Sequence, residues 1–149
     1  MERTFKIIYT SDTHGHIFPV NYAAGCGESS GLLNLAAQID KNGNTLVLDG
    51  GDSLQGTPLV QYYLAHADEF PHHPVAEAFN AMGCDYFTLG NHDFNFGYDA
   101  LRAYLCAMDG VCLCANVQDL GGALPLLPET VHTLKNGLRI GITGIVTDY

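Results

Sequence analysis

Tyr86-Phe87-Thr88-Leu89 runs into Gly90-Asn91-His92-Asp93, an apolar strand-like stretch that ends abruptly in a polar loop. The same arrangement occurs twice earlier. Residues 5–9 (FKIIY) lead to Asp12-Thr13-His14-Gly15-His16, and Leu46-Val47-Leu48 leads to Gly50-Gly51-Asp52. Any one of these loops is ordinary turn chemistry, because Gly, Asp and Asn punctuate strands everywhere. Their repetition carries more weight. In an open α/β sheet the loops at the carboxyl ends of the strands gather on one side, so the three clusters are expected to converge. Carboxylate, imidazole and carboxamide are ligands for hard to borderline divalent cations, and the set points to a hydrolase with two metals.

The segments between the clusters fit an alternating α/β chain. Leu32, Leu33, Leu35, Ala36 and Ile39 have helical spacing before the turn Asn42-Gly43-Asn44. Residues 59–65 predict a second helix in which Tyr62 and Tyr63 pack, and residues 74–82 a third, with Pro74 in its first turn and Gly83 past its end. Leu101, Tyr104, Leu105 and Met108 follow the i, i+3, i+4, i+7 pattern up to Gly110. Residues 111–117 read as a strand with Asn116 near its end as a turn former, and residues 130–134 and 139–146 as a hairpin about Asn136-Gly137. Alternating elements of this kind predict an α/β class with buried strands.

Three longer segments carry a family resemblance: Thr10-Ser11-Asp12-Thr13-His14-Gly15-His16, the run from Leu48 to Pro58 (LDGGDSLQGTP), and the run from Leu89 to Gly97 (LGNHDFNFG). In order and spacing they resemble the calcineurin-like metallophosphoesterases, and within them the bacterial 5'-nucleotidase and 2',3'-cyclic-nucleotide phosphodiesterase group. The resemblance runs from about Phe5 to the end of the sequence, with residues 141–146 similar to a further family strand. It implies one half of a four-layer α/β-β/α sandwich. It also implies two divalent metal ions (Mn, Zn, Fe, Co or Mg), with Asp12 and His14 on the first, Asp52 bridging both and Asn91 on the second. His92 would stand beside them, bonded to the phosphoryl or leaving oxygen. The activity implied is phosphoester hydrolysis of a small nucleotide by metal-hydroxide attack on phosphorus.

Two departures from the family accompany the match. Position 95 is Asn rather than the Asp that orients the catalytic His in many 5'-nucleotidases. The Asn95 oxygen is expected to accept from His92 and fix its tautomer without lending it negative charge, and the Asn form is more similar to the cyclic-phosphodiesterase branch. The family also completes its centre with His and Gln or His ligands from later motifs. None of His16, His66, His72, His73 and His132 has that context, so residues 1–149 are expected to be the amino-terminal portion of a larger enzyme. The substrate-binding domain would lie elsewhere, and the isolated stretch would bind metal weakly and turn nothing over. Two other readings stay open: a non-catalytic fragment acting as a binding module, and a related metallohydrolase acting on a non-nucleotide ester.

The remaining histidines and cysteines have plainer expectations. His16 would hydrogen-bond near the site without ligating, His72 and His73 would cap the third helix in solvent, and His132 would face solvent from its hairpin. Of five cysteines, Cys84, Cys106, Cys112 and Cys114 read as small buried thiols and Cys26 as exposed. Six basic against 16 acidic residues give a formal charge of -10, which repels a nucleic-acid polymer. A small nucleotide escapes that exclusion, because bound cations reverse the potential its phosphate meets. No stretch reaches transmembrane length, and no signal-peptide core precedes Phe5, so no membrane and a cytoplasmic location are expected, with export as the alternative if a leader has been removed, since members of the resembled group are often exported.

Overall fold

In the strand Thr45–Asp49 the uninterrupted apolar run Leu46-Val47-Leu48 marks a segment covered on both faces, as parallel strands with layers above and below them are. The computed structural model describes residues 2–147, so Met1, Asp148 and Tyr149 lie outside the described residues. Its main sheet is formed by β1 (Lys6–Thr10), β4 (Thr45–Asp49), β5 (Tyr86–Phe87), β6 (Val111–Leu113) and β7 (Leu126–Leu127), side by side in that order and all parallel. Two antiparallel pairs flank it: β2 (Val20–Asn21) with β3 (Cys26–Gly27), and β8 (Glu129–Thr133) with β9 (Arg139–Thr143).

Helices α1 (Leu32–Ala36), α2 (Pro58–Ala65), α3 (Pro74–Met82) and α4 (Tyr98–Ala107) share one core with the sheet. Val47, Phe87 and Cys112 from the strands meet Val75, Phe79 and Met82 of α3 and Leu101, Tyr104 and Leu105 of α4. The bounds of α3 follow from its punctuation. Proline supplies a preset φ and needs no donor in the first turn, and Gly83 adopts φ 68° to close the last one. On the opposite face Leu48, Tyr86 and Leu113 line a cavity of about 190 Å³ with Ile142 of β9. β1 shows the period-two alternation of an edge strand: Ile8 packs on the core while Ile7 is 47% and Tyr9 63% exposed.

Several expectations need correction. β5 stops at Phe87: Thr88 N still donates to Asp49 O of the neighbouring strand, and the chain then turns into the polar loop. β6 stops at Leu113 rather than Val117, since Ala115 N leaves the sheet for Gly144 O. Asn116 is the turn former expected, bonded to both backbone groups of Val146. His132 does not face solvent: the hairpin folds over the sheet and sets Nδ1 3.0 Å from the Tyr86 hydroxyl. His73 does cap α3, accepting from Ala76 N at 3.4 Å, but it is 4% exposed between Tyr63 and Tyr104, and only His72 is solvated. Cys106 is exposed, because it falls off the Leu101, Tyr104, Leu105 stripe that faces the core. Cys84, Cys112 and Cys114 are buried and Cys26 exposed, as read. Tyr63 packs, while Tyr62 is 55% exposed and stacks on His66.

Candidate metal centre

The loops after β1, β4 and β5 are joined to one another before any side chain is considered. Gly50 N donates to Thr10 O, Asp12 N to Gly51 O, and His14 N to Asp52 O, at 2.8, 2.9 and 2.9 Å. The β4 and β5 loops approach so closely that glycine is required at their contact. A Cβ on Gly51 would overlap the backbone nitrogen of Gly90, and a Cβ on Gly90 would overlap Oδ1 of Asp52.

This stitching brings Asp12, His14 and Asp52 together, with one ligand atom from each within 4.8 Å of the others. They are also the non-glycine residues, among those described, whose backbones have positive φ, at 53°, 49° and 58°. That conformation costs an L-residue roughly 1–2 kcal/mol, and strain of this kind persists where surrounding structure dictates it. His14 Nδ1 lies 2.7 Å from Gln55 O, so it donates there and leaves Nε2 with a free lone pair. Asp52 Oδ1 accepts from His92 N at 2.8 Å, which leaves Oδ2 free. A deprotonated imidazole nitrogen and two carboxylates at this spacing fit a divalent cation.

Asn91 opens a 3-10 turn, Asn91–Phe94, directly after the Gly90 contact. The His92 ring sits edge-on to His14, centroids 5.6 Å apart. Asn95 does reach His92: its carboxamide lies 3.1 Å from Nδ1 of the ring. The same amide donates to Gln55 Oε1. His16 is exposed and packs on Tyr22 at 6.0 Å; with Ser11, Asp12, Ser30 and Asn34 it lines a cavity of about 570 Å³ beside the cluster.

Three residues of the site were not singled out by motif: Gln55, Asp49 and Asp93. Gln55 ties His14 to Asn95. Asp49 accepts from Thr10 Oγ1 (2.6 Å), Gly51 N (2.9 Å) and Ser53 Oγ (3.3 Å), and burial pushes its carboxyl up to about 6. Asp93 is 1% exposed and accepts four backbone N–H groups; burial raises its carboxyl, and those four donors pull it back down. The one signal for Asp93 in the sequence is its place three residues after Gly90, where an acidic side chain reaches back to the first N–H of a turn.

The family model described as calcineurin-like phosphoesterase matches residues 5–145. The 2',3'-cyclic-nucleotide 2'-phosphodiesterase/3'-nucleotidase of Salmonella typhimurium is 31% identical over 156 residues, covering 95% of this chain and 24% of that protein. A probable 5'-nucleotidase of Treponema pallidum is 32% identical over 159 residues, covering 95% and 25%. The crystal structure of the calcineurin-like phosphoesterase YfkN from Bacillus subtilis superposes with a TM-score of 0.78 at 32% identity, over 94% of this chain and 47% of that one. The chain thus spans about a quarter of those two curated relatives. Its parallel α/β sheet, the match along residues 5–145 and the fold shared with YfkN make this chain a member of the calcineurin-like phosphoesterase family.

Proposed function

We propose that this protein hydrolyses the phosphoester bond of a small nucleotide at a centre of two divalent cations. The observation that supports it most is the convergence of Asp12, His14 and Asp52 with all three backbones in the left-handed region. Nothing in the packing of a plain turn calls for three strained residues with ligand atoms within 4.8 Å of one another.

In this reading Asp12 and His14 hold one cation, Asp52 reaches both, and Asn91 holds the second. Each has local support for its task. The Gln55 carbonyl fixes the His14 ring so that Nε2 is presented unprotonated, and the His92 backbone orients Asp52 so that Oδ2 is presented. The pair of cations, when bound, supplies a nucleophilic water at neutral pH and offsets charge on the phosphoryl oxygens. His92 works beside them. With Nδ1 held by the Asn95 carboxamide, its Nε2 is the ring atom left to act on a phosphoryl or leaving-group oxygen as negative charge grows there. An Asn at position 95 leaves that imidazole without a carboxylate partner, which favours a 2',3'-cyclic nucleotide or 3'-nucleotide over a 5'-nucleotide. The relatives' names support both substrate types.

The test uses the full-length protein with Mn²⁺ and, in parallel, 5'-AMP, 3'-AMP and 2',3'-cyclic AMP. Turnover of the cyclic or 3' substrate is expected. Asp52→Asn should abolish it and strip both metals, because a neutral amide is a poor bridge between dications. His92→Ala should keep the metals and slow turnover by roughly 10²- to 10⁴-fold. Nucleotide binding without turnover in the unaltered protein would make it a binding module instead, and turnover of a non-nucleotide ester alone would move it to another branch of the family.

A further inference from the structure

We infer that Asp93 is a positioning residue of the metal centre, whose carboxylate sets the backbone at Asp52 and locks it to the turn that carries Asn91 and His92. The inference rests on the metal-centre reading above and adds a residue to it. Oδ1 of Asp93 accepts from Ser53 N at 2.8 Å and Leu54 N at 2.9 Å, while Oδ2 accepts from Asp52 N and Gly90 N, both at 2.9 Å. Three consecutive N–H groups, at positions 52, 53 and 54, thus point at one anion. A run of amides can converge this way when the chain bends through the left-handed region, and Asp52 has φ 58°.

The fourth donor makes this more than a local turn. Gly90 precedes the expected ligand Asn91, and its Cα lies against the Asp52 carboxylate so tightly that no side chain fits. His92 N then returns to Oδ1 of Asp52. A closed circuit results: Asp93 holds the backbones of Asp52 and Gly90, and the Asp52 side chain holds His92. Among the described residues the ion pairs are Lys41 with Asp85 and His72 with Glu77, so the buried charge of Asp93 is answered by amide dipoles and not by a cation. A neutral amide of equal size cannot replace it. Whichever way the carboxamide of Asp93→Asn turned, its NH₂ would face two of the four N–H donors.

The experiment compares three variants of the full-length protein: Asp93→Asn, Asp52→Asn, and Phe79→Leu as a destabilised control in the helix layer. Mn²⁺ affinity is measured by calorimetry and electron paramagnetic resonance at 10 °C, well below each apo melting temperature, and kcat is measured as a function of Mn²⁺. Asp93→Asn should weaken Mn²⁺ binding by about 10- to 100-fold, the usual effect of removing a group that orients ligands. Its kcat at saturating Mn²⁺ should recover to within about 10-fold of the unaltered enzyme, and Phe79→Leu should keep native affinity however far its melting temperature falls. Native Mn²⁺ affinity in Asp93→Asn would reduce Asp93 to a fold-holding residue and overturn the inference while leaving the metal centre intact. Native affinity in Asp52→Asn would instead remove the metal-centre reading, and the inference with it. If Asp93→Asn fails to accumulate as folded protein, Asp93→Glu, which keeps the charge but displaces it by one methylene, is judged by the same affinities.

Discussion

The loops at the carboxyl ends of β1, β4 and β5 and the helix layer behind the sheet are built on opposite principles. The loops hold three non-glycine residues at φ 49° to 58°, an anion buried to 1% exposure and glycines in backbone-to-backbone contact. In the helix layer α3 begins on a proline, ends on a left-handed glycine and buries an apolar face, and α4 does the last as well. Strain at three residues, at roughly 1–2 kcal/mol each, is comparable with much of the 5–15 kcal/mol net stability of an ordinary domain. The loops can be held in that geometry because side chains such as Phe79 and Tyr104, both almost fully buried, offset the cost elsewhere. Strained loop geometry and apolar packing are therefore carried by different residues, and the division can be broken experimentally.

The largest stability effect is expected in the helix layer. Phe79→Ala removes a fully buried ring from the centre of the core and should cost about 3–5 kcal/mol in denaturant unfolding. The fraction that remains folded should bind Mn²⁺ as the unaltered protein does. A parallel loss of metal affinity per folded molecule would show that the two regions are not independent.

His73 gives a second handle on the same layer. Burial lowers its folded pKa from 6.5 to about 4, and among the described residues its Nε2 has no hydrogen-bond partner. Below pH 6.5 the unfolded chain takes up a proton that the folded chain refuses. Its contribution is therefore intact above pH 6.5, declines as pH falls, and is lost by about pH 4, a total of roughly 3 kcal/mol. His73→Asn keeps a capping side chain without the titration. The stability difference between the two proteins, followed by urea unfolding from pH 7.5 to 4, should narrow or reverse across that window, and a constant difference would show that His73 is protonated in the folded state.

Much of this layout was legible in the sequence because local signals acted alone. Pro74 and Gly83 bound α3 to the residue, and apolar runs giving way to polar loops located the ends of β1 and β4, while β5 stops two residues short of its run. What was not legible depends on partners distant along the chain. Asp93 takes three of its four donors from a segment about forty residues earlier, so its place three residues after Gly90 reveals only the fourth. His132 reads as solvated because nothing in its hairpin says that the hairpin lies over Tyr86. Cys106 is a different failure: the helical stripe at Leu101, Tyr104 and Leu105 already excluded it from the core. The link between Asn95 and Gln55, forty positions apart, is likewise invisible to any short window of sequence.

The smallest effect is also the sharpest test of the division between the two regions. Asp12 is exposed, its side chain accepts only from the neighbouring Ser11 hydroxyl among the described residues, and its backbone sits at φ 53°. Replacing it by glycine relieves roughly 1–2 kcal/mol of conformational cost and gives back about 0.4–1 kcal/mol through the freer unfolded chain. The backbone bond from position 12 to Gly51 O needs no side chain and survives. Asp12→Gly should therefore leave the metal-free protein as stable as before or up to about 1 kcal/mol more so, while Mn²⁺ binding falls sharply. Each half of that result can fail separately. A clear loss of apo stability would mean that the Asp12 carboxylate supports the fold, and undiminished Mn²⁺ binding would mean that the strain at this position serves something other than a cation.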